Sequence, residues 1–212
     1  MSGIDLDAMR ALFPCDVPVF PLPGAVLFPG ALMPLHIFEP RYREMVSDAL
    51  AGDRLIAMGL LLECDREEYE ARPPFHETVC VGHLLQHKML PDGRSNIVLV
   101  GVGAGTARPS ERGKPYRTAQ VDLIEEQRGD DSDALLRRVH EASPPGDQAF
   151  EDLWERLAEI LPAAEVPGAM LGSCAQAAAI PPAQKLLLLE EPGLLRRGER
   201  LLEFLNRSWR WN

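Results

Sequence analysis

Apolar positions recur along this chain with two periods, and the change from one to the other falls near residue 128. Before it the apolar runs are short and divided by Pro and Gly, as strands and turns are. Beyond it they are longer and spaced to line one face of a helix. Residues 17–20 and 25–28 are apolar but cut by Pro18, Pro21, Pro23 and Pro29. Proline brings no amide proton to a ladder, so both segments predict short or edge strands. A helix is predicted over 40–52: Pro40 suits a first turn, Tyr42, Met45, Val46, Ala49 and Leu50 form one stripe, and Gly52 can end it. Residues 55–62 are continuously apolar, as in a strand buried on both faces. Residues 78–90 carry Val79, Val81 and Leu85 on one parity and lead to Asp92-Gly93, a hairpin signal, with a return strand over 97–102. Gly101, Gly103 and Gly105 then read as a strand end of little steric demand. A last strand over 116–126 places Ala119, Val121 and Leu123 on one parity.

The polar, turn-rich QRGDDSD at 127–133 reads as a linker with its hinge near Gly129. Helices are predicted after it at 133–142 and, past Pro144-Pro145-Gly146, along the stripe Phe150, Leu153, Trp154, Leu157, Ile160 and Leu161. A third contains Met170, Leu171, Cys174, Ala177 and Ala178; Pro182 and Pro192 open a fourth and a fifth. Gly193 and Gly198 would each weaken the fifth by about 1 kcal/mol relative to Ala if internal, so packing must supply its stability. The expected fold class is α+β: a β-rich N-terminal subdomain, a small, partly closed barrel-like sheet with one inserted helix, followed by an α-helical bundle subdomain. Residues 1–14 form an extension, 15–126 the β-rich part, 134–208 the helical part and 209–212 a tail.

Charge narrows the choice of partners. With 22 basic against 32 acidic residues the net charge is -10, so the excess needed to neutralise nucleic-acid phosphates is missing. The start carries Asp5 and Asp7 rather than a basic stretch followed by an apolar one, and no run of about 18 apolar residues occurs. No membrane partner and a cytoplasmic location are therefore expected. Cys15, Cys64, Cys80 and Cys174 are widely separated and read as reduced, packed thiols.

Candidate chemistry is sparse. Gly113-Lys114 is followed by Pro115, and position 108 is Arg, so no phosphate loop forms. His83 and His87 share a face, but in a strand they stand about 13 Å apart, too far for one metal ion. No cysteine lies in a glycine-rich nucleophile elbow. Glu63, Asp65, Glu67, Glu68 and Glu70 read as a solvated loop or short helix. Arg196, Arg197, Arg200, Arg207 and Arg210, with Trp209 and Trp211, read as a solvated helix face and a frayed tail. No catalytic residue, cofactor or metal is expected.

The stretch VPVFPLPGAVLFPGALMPLHIFEPRYREMV resembles the opening of the amino-terminal domain of Lon proteases, with its FPL strand, FPG turn and PL segment before a helix. HIFEPRYR is similar to the form in stand-alone members. VGHLLQHKMLPDGRSNIVLVGVGAGTARP resembles the family's paired strands joined by an LPDG turn, and YRTAQVDLIEE its next strand. LGSCAQAAAIPPAQKLLLLEEPGLLRRGERLLEFL resembles its closing helices, departing at Gln184-Lys185 and at PGLLRRG. In Lon proteases this domain precedes an ATPase and a Ser-Lys peptidase module and is implicated in engaging damaged or unfolded polypeptides. The resemblance thus implies a free-standing, non-catalytic protein-binding module whose partners are unfolded or damaged polypeptides or a separate ATPase or protease. A small-molecule-binding protein or a hydrolase is the alternative, which a deep polar pocket with converging ionisable groups would favour. Phe20, Leu22, Leu27 and Phe28 are read as core and turn residues. Phe38, Arg41 and Tyr42, flanking the first helix, are the candidate peptide-binding residues of a surface groove.

Overall fold

The structure is a computed structural model that describes residues 6–110, 113–127, 132–141 and 166–208, together with 152, 155 and 159. Its elements in chain order are α1 (Leu6–Arg10), β1 (Cys15–Leu22), β2 (Leu32–Ile37), α2 (Pro40–Ala51), β3 (Leu55–Leu61), α3 (Arg66–Ala71), β4 (Phe75–Met89), β5 (Ser95–Ser110) and β6 (Arg117–Leu123). The helices α4 (Ser132–Glu141), α5 (Val166–Ala177), α6 (Pro182–Leu189) and α7 (Leu194–Ser208) follow. The predicted helix over 150–161, residues 128–131 of the linker with Gly129, and Trp209 and Trp211 lie outside the described residues.

Ring closure follows from the length of β5. Its first half pairs with β2 from Ser95 to Val100, and its second half pairs with β6 from Gly105 to Ser110. β4 runs antiparallel to both halves. Since β6 also pairs with β1, β1 with β3 and β3 with β4, the strands β5, β4, β3, β1 and β6 return on themselves, and β2 extends one side as an edge. Closure leaves the outer side of β2 as the free edge of a whole strand, with shorter open stretches along the staggered β1. The α+β architecture is as expected, but two helices rather than one are inserted among the strands, α2 and the short α3 between β3 and β4.

Several expectations are corrected. β1 is interior, between β6 and β3, despite its prolines. It is staggered: Cys15 to Val19 pair with β6 and Val19 to Leu22 with β3, so Pro18 and Pro21 each sit where only one neighbour is present. Residues 25–28 form no strand; Leu27 and Phe28 are buried in an irregular segment, and the strand is β2 instead. The parity predicted for β4 breaks at bulges near Gly82 and between Leu84 and Gln86, so Leu84 rather than Leu85 is buried.

β5 also does not end at its glycines. It runs through them because other atoms occupy the space a side chain would take. A Cβ on Gly101 would lie 2.0 Å from the Phe28 carbonyl oxygen, and one on Gly105 2.6 Å from Val121 Cγ1. Phe28-Pro29-Gly30 is held against Gly101 by Gly30 N–H donating to the Gly101 carbonyl at 2.8 Å and Gly101 N–H to the Ala31 carbonyl at 3.0 Å.

The helical part closes over the same segment from the other side. A Cβ on Gly172 of α5 would lie 2.8 Å from the Pro29 oxygen and 2.9 Å from Phe28 Cβ. Gly198, inside α7, lies where a Cβ would stand 2.4 Å from a Leu135 methyl of α4, so packing requires the residue that helix propensity disfavours. A single cluster of buried residues runs from Val17 and Phe28 through Leu135, Met170 and Leu201.

Gly30 combines two constraints: φ is +73°, and an added Cβ would stand 2.4 Å from Ala169 Cβ. Gly30→Ala is expected to lower stability by about 2 to 5 kcal/mol, the sum of left-handed strain and overpacking. Urea unfolding of Gly30→Ala combined with Ala169→Gly, measured against Ala169→Gly alone, should still show most of the loss, because the Ala169 Cα, 2.6 Å from the added Cβ, and the left-handed backbone strain both remain.

A candidate polypeptide-binding face

The entry to α2 determines what becomes of the three candidate residues. Its N-cap, Glu39, makes no side-chain cap bond. The Glu39 carboxylate instead accepts Arg41 Nε at 3.0 Å on Oε2 and the Tyr69 hydroxyl at 2.9 Å on Oε1. Arg41 Nη1 donates to the Tyr69 and Glu70 carbonyls at 2.6 and 3.2 Å, and its guanidinium lies 4.7 Å from the centroids of both Tyr42 and Tyr69. Arg41 is thus engaged in fastening α2 to α3, whose own start is set by the reciprocal Asp65–Glu68 capping box.

Tyr42 begins the apolar stripe of α2 and faces the barrel. It is 2% exposed, with its ring centroid 4.3 Å from that of Phe20. Burial pushes its phenol well above the ordinary range, although Arg41 opposes this. Its hydroxyl has no hydrogen-bond partner among the described residues, and the Tyr69 hydroxyl donates to Glu39. The placement of Arg41 and Tyr42 in a surface groove is therefore corrected: one joins two helices and the other is core. Phe38, one residue beyond β2 and before the helix stripe begins, is 59% exposed.

Phe38 borders a face that the sequence analysis missed. Its ring stacks beside His36, centroids 6.2 Å apart, and His36 Nδ1 is 2.7 Å from Asn96 Oδ1. The register sets His36, Asn96 and Lys88 in one row across β2, β5 and β4, and Pro34, Val98 and Gln86 in the next. Side chains in a row project from the same side, and these two rows line an open groove of about 730 Å³. The available signal was the alternation in HKM and SNIV, Lys88 and Asn96 out with Ile97 in, but it has no meaning until β2 is recognised as a strand.

The free edge of β2 is blunted. Gln176 Nε2 of α5 donates to the Leu32 carbonyl at 2.8 Å, so Leu32 points its polar groups outward. Pro34 shares that parity and has no amide proton to offer.

A second concavity, of about 390 Å³, lies where Arg10, Pro29, Gly103, Glu126, Pro192 and Arg197 meet. Two of its ionisable groups, Arg197 and Glu126, are turned on one another. Arg197 Nη1 donates to Glu126 Oε2 at 2.8 Å, while Nε and Nη2 donate to the Glu191 carbonyl at 3.1 and 2.7 Å. Arg197 is 2% exposed, correcting its reading as part of a solvated face; PGLLRRG delivers a largely buried ion pair between α7 and the segment that follows β6.

His83 and His87 lie on β4, and no group of three or more His, Cys, Asp or Glu residues capable of holding a metal occurs among the described residues. Burial pushes the thiols of Cys80 and Cys15 up, away from the thiolate a nucleophile requires. No described helix is long and apolar enough to cross a membrane.

Residues 16–207 match the family of the ATP-dependent protease La (LON) substrate-binding domain, and the chain belongs to that family. It is similar to the Lon protease of Chloroherpeton thalassium, 23% identical over 195 residues that make up 91% of this chain and 23% of the relative. Against Lon protease 2 of Myxococcus xanthus it is 27% identical over 208 residues, 92% of this chain and 24% of the relative. The chain thus spans about a quarter of the length of these relatives. The fold is shared with the Lon N-terminal domain protein from Xanthomonas campestris (TM-score 0.60, 24% identity, 90% of this chain and 98% of that one). It is shared equally with the N-terminal domain of the Mycobacterium avium complex Lon protease (TM-score 0.60, 17% identity, 91% and 98%).

Tyr42→Ala is expected to cost about 3 kcal/mol or more in denaturant unfolding, as for other buried aromatic truncations, whereas Phe38→Ala should stay within about 0.5 kcal/mol. Arg197→Ala, which removes the buried guanidinium and its bonds to Glu126 and to the Glu191 carbonyl, should cost about 1 to 3 kcal/mol, and Arg196→Ala next to it almost nothing.

Proposed function

We propose that this chain is a non-catalytic polypeptide-recognition module that engages unfolded or damaged chains in the cytoplasm, either alone or for a separate ATPase or protease. The observation that carries this reading is the match over residues 16–207 to a substrate-binding domain. Phe38 is the proposed contact residue, because it offers an apolar side chain to solvent beside the open groove. Arg41 takes a positioning role, holding the start of α2 and so the angle at which Phe38 leaves β2. The paired charges around Arg197 leave the second concavity poorly suited to the alternative of a small-molecule site with converging free ionisable groups.

We further propose that residues 127–133 divide the β-rich part from the helical part. Gln127, at the start of this segment, is bonded to the helical part: its N–H donates to the Pro192 carbonyl and its carbonyl accepts the Leu194 N–H. Proteolytic nicking within the segment should therefore yield two resistant fragments that stay together on gel filtration.

The binding reading is tested by fluorescence anisotropy with a labelled, reduced and alkylated client protein against the same client folded. Tighter binding to the unfolded form is expected, and equal, negligible binding to both would refute the proposal. Phe38→Ala should weaken the unfolded-client interaction by about 5- to 30-fold, the range for a contact of 1–2 kcal/mol, with an unchanged Tm.

A further inference from the structure

Charge on the β2–β5–β4 face runs opposite to that of the whole chain. The protein carries a net -10, yet no Asp or Glu lines the groove, whose outward rows hold Lys88 and His36 with the amides of Gln86 and Asn96. Lys88 is exposed and has no ion-pair partner among the described residues. Carboxylates at the two ends of the face are already engaged: Asp92 by Arg94 at 2.5 Å and Glu39 by Arg41 at 2.9 Å. With strands about 4.8 Å apart, Lys88 stands about 10 Å across the row from His36, and Phe38 lies just past His36 on the same border. A cation, an amide and an exposed aromatic ring therefore lie within the reach of a few residues of extended chain.

Docking on this face is also separated from docking on its edge. Strand addition to β2 would need outward donors and acceptors at Leu32, Pro34 and His36, but the Leu32 carbonyl is taken by Gln176 and Pro34 has no N–H. Side-chain recognition on the face is what remains.

We propose that the face selects extended polypeptide segments carrying a carboxylate within a few residues of an aromatic or large aliphatic side chain. The carboxylate meets Lys88 and the Asn96 amide, and the apolar group packs on Phe38. This inference rests on the polypeptide-recognition reading and assigns its substrate class.

The test uses the full chain and two labelled peptides of equal length, each with one central Phe, flanked by Glu in one and by Lys in the other. The wild type should bind the acidic peptide about 3- to 10-fold more tightly, as expected for an exposed charge contact passing from attraction to repulsion. Lys88→Glu should reverse the preference and Lys88→Gln should abolish it. Arg196→Glu, an equal change of net charge on the exposed side of α7, should leave it in place. Phe38→Ala should weaken both peptides by a similar factor. Equal binding of the two peptides by the wild type, or an unchanged preference in Lys88→Glu, would overturn the selectivity while leaving polypeptide recognition standing. Failure to bind either peptide or any unfolded client would overturn the recognition reading itself. Concentration-dependent self-association in sedimentation that is lost in Lys88→Glu, without peptide binding, would assign the face to a second copy of the chain and overturn the inference.

Discussion

The placement of Phe28-Pro29-Gly30 between β5 and α5 is the constraint on which the rest of the molecule depends. Three peptide units are held so closely that side chains are excluded on both sides, by Gly101 below and by Ala169 and Gly172 above. Phe28 and Leu27 are fully buried without belonging to any strand. Their burial offsets the unfavourable ordering of an irregular, glycine-bearing segment. Because Gly30 and Ala31 exchange backbone bonds with Gly101, the wedge also fixes where β2 starts on β5. A slip of one residue there would turn His36 inward and Ile37 outward. Which β2 side chains reach the open face is thus decided a few residues upstream of it.

A second attachment lies around Arg197. The Glu126 carboxylate just beyond β6, the Glu191 carbonyl ahead of α7 and the Gln127–Gly193 bridge converge there, and Thr78 of β4 donates to Glu190 nearby. A buried ion pair contributes little net stability compared with a well-packed apolar pair, since both charges must be desolvated. Its effect is geometric: five guanidinium donors in a rigid fork restrict how α7 meets the barrel. With the wedge at one point and the fork at another, the helical part has little freedom to pivot about either alone.

The sequence shows clearly those elements whose burial pattern is set by their own neighbours. The α2 stripe, the run at 55–62 and the Asp92-Gly93 turn are local signals, and all three lie where expected. Less was legible where a partner distant in the chain decides the outcome. Gly101 and Gly105 look like breakers until Phe28 and Val121 are seen to need the space. Pro18 and Pro21 look like marks of an edge until the stagger of β1 supplies each with an open side. Arg197 is indistinguishable in sequence from Arg196, because only the approach of Glu126 makes one of them internal. At the candidate site the motif HIFEPRYR marks the turn between β2 and α2, but the helical phase puts Tyr42 inward and leaves Phe38, which precedes the helix, outside.

Phe38 remains exposed for a reason that also limits how the face can be used. It follows Ile37, the last paired residue of β2, and precedes the Glu39–Arg41–Tyr69 network, so neither the ladder nor the helix stripe draws it into the core. An exposed aromatic group beside a sheet edge would ordinarily invite strand pairing, and a module that meets unfolded chains would meet many candidates for it. Here the edge is occupied at Leu32 by Gln176 and is short of a donor at Pro34. Backbone recognition, which is blind to sequence, is suppressed, while the outward row of His36, Asn96 and Lys88 stays accessible. On the proposed recognition reading, partners would then be chosen through their side chains, and any selectivity of the face would be carried by the few groups on it that can tell one side chain from another.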